Sequence, residues 1–374
     1  MKAERFCSFL KENIRFVYPV LILVFAKLLC SMFLYYSFNL SSTDTASLQM
    51  YGTNVPHPSR WPFLYFAWDS GWYHRTVYWG YNSLAQCYAF FPGYPICIYV
   101  FNLVTNDIFA SMALCSFIFG VAWIPFFQAV AEHYMTREAA SRVTLLAAFF
   151  PYVFLFTTVA YSESLFLFAC TASWYYYLNN KTLNASIFAA VATITRMVGI
   201  IMVFPMFLDM LHEREHKHLL YSLIPPIALF AWLSYCFVNT SDWFASITAQ
   251  NNWTMYSFPK WLVNFISNQK MIEIFSECSG LVLIILTSIL ICYGRKVDWR
   301  LTIYSIASFF VILYFAAIWS ISRYLSFIFP IWIALGTRTL QGKRRNIITA
   351  ALCVLFFSIA LLLWNRFLLS QWVA

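Results

Sequence analysis

Polar chemistry in this chain rests on a few isolated residues set among long apolar runs. Asp69 stands in Trp68-Asp69-Ser70-Gly71-Trp72-Tyr73, flanked by aromatic rings. Such rings exclude water and raise a carboxyl's proton affinity, which tunes an acid toward general-base work near neutral pH. An Asp just before a helical run is equally suited to capping it. Glu163 interrupts FPYVFLFTTVAYSESLFLF, where an ionisable group is costly and marks a functional site unless it simply caps a hairpin. Arg196 in ATITRMVGI and Arg323 in IWSISRYLSF are lone cations in apolar surroundings. A guanidinium there seeks a carboxylate or a phosphate, both of which match its planar fork, or else it snorkels to the headgroups. Gln250-Asn251-Asn252-Trp253 and Tyr324, beside Arg323, complete the set of polar clusters.

The elements that hold these residues are membrane helices. Hydrophobic residues make up 61% of the 374 and charged residues 10%, against roughly 45–50% and about 25% in an ordinary soluble domain. The apolar runs are continuous rather than alternating, which argues against a transmembrane barrel. The formal charge of +9 comes from clusters between apolar runs, including Lys2 to Arg15, Arg295 to Arg300 and Arg338 to Arg345. That is the positive-inside pattern of cytoplasmic loops and not a nucleic-acid footprint. Ten cysteines without a CxxC pair and dispersed histidines argue for packing roles and against a metal site. No phosphate-binding glycine motif of the nucleotide-binding kinds occurs.

The apolar run from Val17 to Phe38 has the length of a membrane helix and exceeds a secretory h-region, so it is expected as a retained first helix with its N-terminus inside. Further segments follow, giving about eleven or twelve in a single membrane domain spanning residues 1–374. Outer loops are expected over 39–88 and 239–278. Ala185 to Ile194 and Val198 to Leu208, on either side of Arg196, are each too short to cross a core of about 30 Å and predict a re-entrant pair or one broken helix. Direction between residues 89 and 142 stays open, because Pro92, Pro95 and Pro125 are able to break helices there. In this topology Asp69, Glu163, the Gln250 cluster and Arg323 all face the outer side.

WDSGWYHRTVYWGY followed by AFFPGYP resembles the W-D-x-x-W/F-Y, G-Y, F-F-P-x-Y/F-P pattern of the GPI mannosyltransferase II (PIG-V) family. YSESLF, Thr195-Arg196 with Gly199, AQNNW and SRY fall in the family's order, so the resemblance runs from about Asp69 to Arg323. It implies an all-α, polytopic GT-C glycosyltransferase fold with the catalytic acid, here Asp69, in the first outer loop. It also implies transfer of a sugar, mannose in the eukaryotic members, from a polyprenyl- or dolichyl-phosphate donor to a lipid-linked or glycan acceptor on the luminal or outer face. The membrane is then the endoplasmic reticulum in a eukaryote and the plasma membrane in a prokaryote. The chain has shorter loops than the GPI enzymes and WDSGWY is closer to prokaryotic relatives, which leaves the acceptor open.

The mechanism expected on this basis is an inverting single displacement without cofactor or metal. Asp69 serves as base, Arg196 and Arg323 hold the donor phosphate, and Trp68, Trp72, Tyr73, Glu163, Gln250, Asn251, Trp253 and Tyr324 bind substrate. Two other readings stay open: a lipid-linked sugar transporter or flippase, and a non-catalytic subunit of a glycosyltransferase complex. A small partner subunit in the membrane also stays open.

Overall fold

The computed structural model describes residues 2–41, 48–50, 53–55, 61–212, 219–254, 274–317, 320–340, 345–369 and 373. Helices α1 (Lys2–Ser41), α2 (Asp69–Trp79), α3 (Gly93–Thr105) and α4 (Ile108–Tyr134) are followed by α5 (Arg137–Phe149), α6 (Pro151–Phe156), α7 (Glu163–Leu178) and α8 (Thr182–Thr195). Then come α9 (Val203–His212), α10 (Ile224–Thr240), α11 (Ala245–Thr254), α12 (Ile274–Gly294), α13 (Trp299–Phe315), α14 (Ile321–Ser326), α15 (Pro330–Thr339) and α16 (Arg345–Leu368). A two-stranded antiparallel hairpin, Leu48–Met50 with Thr53–Val55, lies between α1 and α2.

The expected apolar segments resolve into two classes. Among the described residues four helical stretches are long and apolar enough to cross a membrane: Arg15–Ser37, Ile108–Tyr134, Leu220–Thr240 and Arg345–Leu368. Most of the others are shorter, and their shortness has a structural consequence. At one end of the bundle Arg15 pairs with Glu132 at 3.4 Å, and Arg300 bridges Asp209 and Asp298 at 2.9 Å each. Tyr134 donates to Asp298 at 2.8 Å and the Tyr177 hydroxyl bonds to Asp209. The ends of α4, α7 and α9 and the start of α13 therefore share one level. From that level α7 rises 16 residues and α13 rises 17, about 24 Å and 26 Å, which stops short of a core of about 30 Å. The 27 residues of α4 run about 40 Å.

The segments around Arg196 form a re-entrant hairpin. Helix α8 rises from the charged end, the chain turns over at Arg196, and a 3-10 turn (Met197–Met202) and α9 return to Asp209 beside Arg300. Gly199 permits the turn, since a Cβ there would lie 2.3 Å from the carbonyl carbon of Ala192. Direction between residues 89 and 142 is also settled. Helices α3 and α4 form an antiparallel hairpin whose turn uses Asn106 at φ 51° and the Asp107 carboxylate, which caps α4 by accepting from the Phe109 N–H at 2.8 Å. Tyr94 of α3 donates to the Met112 carbonyl of α4 at 3.1 Å. Pro125 lies inside α4 without breaking it.

Candidate functional site

Three chain reversals at the ends of the short helices meet α2, and each contributes an ionisable side chain. Glu163 is the first residue of α7, Arg196 the apex of the re-entrant hairpin, Arg323 the middle of α14, and Asp69 the first residue of α2. Asp69 does not cap its helix: the cap position is Trp68, which has no side-chain capping bond. Trp68 holds φ 55°, ψ −114°, a region costly for a residue with a Cβ. That conformation turns the chain sharply just before the acid.

The four charges are interlocked. Both terminal nitrogens of Arg323 donate to Asp69 Oδ2 at 3.2 Å, and its Nε stands 3.2 Å from Glu163 Oε1. The same Glu163 oxygen is 2.8 Å from a terminal nitrogen of Arg196. Glu163 and Arg323 are only 1% and 3% exposed, so neither snorkels and neither faces bulk water. The Tyr324 ring lies 4.5 Å from both guanidinium carbons, a cation–π arrangement that eases the approach of two like charges. Phe156 lies under Arg323 from another side at 4.9 Å.

Neutral hydrogen bonds fix the frame. Tyr161 donates to the Ala67 carbonyl and accepts from the Asp69 N–H, both at 3.1 Å. Ser162 accepts from Tyr73 at 2.7 Å and from Arg196 at 3.2 Å. The Asp69 side chain is 24% exposed, and that surface opens onto a cavity rather than onto bulk solvent. Burial pushes its carboxyl above the usual carboxylate range, Arg323 pulls it back, and Glu163 adds to the rise. His74, five residues on, is held down to about 4 by burial, against a smaller upward pull from Asp107.

The glycine of the FFPGYP motif interlocks with the hairpin. A Cβ on Gly93 would meet Thr195 Oγ1 at 2.4 Å and the Thr195 N and Ile194 O at 2.9 Å. The start of α3 thus seats the last turn of α8, and with it Arg196.

The cavity is about 210 Å³. Asp69, Glu163, Arg196, Arg323, Trp68, Trp72, Tyr73, Gln250 and Tyr324 all line it. Trp72 stacks on Phe90 at 5.9 Å, and Gln250 of α11 donates to the Ala89 carbonyl at 3.4 Å. Below the charged cluster the lining turns apolar and follows one face of α13 through Phe315, Ile312, Val311 and Tyr304, about 17 Å by helical rise.

Glu163 and Tyr324 line the cavity and at the same time contact the arginines. One expectation is corrected, that for Asn251. Asn251 is exposed and does not line the cavity. The Trp253 side chain, like the rest of the outer loop over 255–273, lies outside the described residues. Tyr161 and Ser162 belong to the polar Tyr161-Ser162-Glu163 cluster visible in the sequence, and the structure gives them the framing role that the sequence did not assign. Comparison with protein-family models and with curated proteins gives no match for this chain.

Proposed function

We propose that the chain is a membrane glycosyltransferase, in which Asp69 takes a proton from an acceptor hydroxyl while that oxygen attacks the anomeric carbon of a polyprenyl- or dolichyl-phosphate sugar, mannose by the family resemblance. The new C–O bond forms as the bond from the anomeric carbon to the phosphate oxygen breaks, with inversion. The phosphate leaves with the electron pair, and Arg196 and Arg323 take up its charge, an interaction strongest in the transition state.

The observation that carries this reading is the meeting of the Asp69 carboxylate with two guanidiniums, anchored by Glu163, at the polar end of a cavity whose other end is an apolar slot. A carboxylate beside the cavity suits a general base, a forked pair of cations suits a phosphate, and the slot suits the first isoprene units of a lipid tail. The acceptor is a GPI precursor in the endoplasmic reticulum of a eukaryote, or a glycolipid or surface polymer at the plasma membrane of a prokaryote.

The test is transfer of labelled mannose from polyprenyl-phosphate mannose by the purified protein and by Asp69→Asn. Transfer by the wild type and its loss in the variant support the reading. An Asp69→Asn protein as active as the wild type removes Asp69 from the base role, and movement of the lipid-linked sugar across vesicles without transfer replaces the enzyme with a flippase.

A further inference from the structure

Lys27 lies in the middle of α1, in a stretch long and apolar enough to cross a membrane, yet it is fully buried within the bundle. Its Nζ stands 2.7 Å from the Thr157 carbonyl, 3.0 Å from Thr157 Oγ1 and 3.2 Å from the Gly120 carbonyl. All three partners act as acceptors. The Thr157 hydroxyl spends its own hydrogen on the Val153 carbonyl at 2.6 Å. Three acceptors match the three N–H bonds of an ammonium. The cradle is tight: a Cβ on Gly120 would fall 1.9 Å from the Thr157 carbonyl oxygen and 3.0 Å from Lys27 Nζ.

The same helix ties down both segments that carry the charged cluster. Thr157 closes α6, directly after Phe156, whose ring lies under Arg323, and it leads into Tyr161 and Glu163. One turn along α1, Ser31 donates to the Lys27 carbonyl and accepts from the Tyr65 hydroxyl at 3.0 Å. The Tyr65 carbonyl in turn accepts from the Ala160 N–H at 3.0 Å. Lys27 and Ser31 therefore register the 157–163 reversal against the 65–69 segment that ends in Asp69. A bare charge buried without a carboxylate is expensive, and a sequence that needed only packing here would use leucine.

We propose that Lys27 is a positioning residue whose ammonium occupies a built-in monovalent cation site, formed by Gly120 O, Thr157 O and Thr157 Oγ1, and that filling this site sets the Glu163 reversal against Asp69. The ligand class of the site, once the lysine is cut back, is a small primary ammonium. Lys27→Ala removes the last three carbons and the nitrogen, the atoms of n-propylammonium, and enclosed cavities of this size admit ligands of matching shape.

The experiment measures thermal unfolding of the purified full-length protein with n-propylammonium, using n-propanol as the neutral analogue of the same size. Lys27→Ala is expected to melt below the wild type, with a saturable upward shift in propylammonium that the wild type does not show and propanol does not reproduce. Lys27→Met, which refills the space without the charge, is expected to melt low and to ignore the amine. The proposal is overturned if Lys27→Met matches the wild type or if propanol rescues Lys27→Ala equally well. Thr157→Val against Thr157→Ser decides the matter if Lys27→Ala is not recovered: a lower midpoint for valine alone supports the cation site, and equal midpoints overturn it. The positioning role is read from rescue of kcat by propylammonium at an unchanged donor KM, and this arm alone rests on the transferase reading. A wild type without transferase activity removes that reading and leaves the thermal arm to judge Lys27; thermal rescue without rescue of kcat overturns the positioning role.

Discussion

Glu163 and Arg323 face each other across 3.2 Å with almost no exposure, and through Arg323 the buried glutamate is linked to Asp69 on another helix. One guanidinium thus spans two acids from different elements, and one acid oxygen spans two guanidiniums. The cluster carries two charges of each sign, so removal of any member leaves a buried charge unbalanced.

Arg323→Ala is expected to lower kcat/KM by at least about 100-fold, the scale of losing one preorganised donor to transition-state charge. It also costs about 3–5 kcal/mol of stability by stranding the acids. Arg323→Lys keeps the charge but cannot reach both carboxylates with a planar fork, so its kcat/KM falls nearly as far. Steady-state kinetics on both variants decide it, and a lysine variant close to wild-type activity sinks the bidentate role.

Glu163→Gln keeps the shape and removes the anchor shared by Arg196 and Arg323. The expected result is a loss of about 3–5 kcal/mol in denaturant unfolding, together with a raised donor KM as the arginines lose register. A variant that is fully stable with altered acceptor KM alone would return Glu163 to hydroxyl binding.

The pH profile of kcat/KM should lose activity on the acid side as Asp69 takes up a proton. Because burial raises its proton affinity, the loss begins at higher pH than for an ordinary carboxylate, and activity grows as pH rises through that point. His74, held at about 4, stays neutral through this range and is not the source of a limb near neutrality. A His74→Gln variant with an unshifted profile is the check, and disappearance of the limb would reassign it.

Gly93→Ala is expected to push the end of α8 away, because two of the three closest atoms belong to backbone. Overpacking of this kind costs about 1–3 kcal/mol, and the displaced Arg196 lowers activity along with stability. Thr195→Ala removes the nearest atom and should recover part of the loss in a double-mutant cycle. Additive effects would show that Gly93 and Thr195 are not in contact.

The residues that converge on the cavity were legible because each is an ionisable or amide group stranded in apolar sequence. That they share one face was legible as well; that they meet in one cavity was not, because it depends on α7, α8 and α13 stopping at one height, a property of how helices end and not of the hydrophobic pattern. Arg196 shows the difference, since the short runs beside it allowed a broken helix as well as a hairpin. The return of α9 to Asp209 beside Arg300, with Gly199 close against Ala192, distinguishes the hairpin. The partner of each charge was equally out of reach, because pairings such as Arg323 with Asp69 join residues 254 positions apart. Lys27 was overlooked inside the run from Val17 to Phe38, although a lone ionisable residue in the middle of a span is itself the signal.

On the transferase reading, a cavity that is charged at one end and apolar along α13 would sort substrates by their tails. On that reading an isoprenoid-anchored donor would approach Asp69 along the apolar lining, while an untethered hydrophile would have to shed its hydration to follow it. Each methylene that the groove along α13 accepts is worth about 0.8 kcal/mol, so binding should strengthen with every carbon added to a headgroup analogue and level off once the groove beside Tyr304 is full.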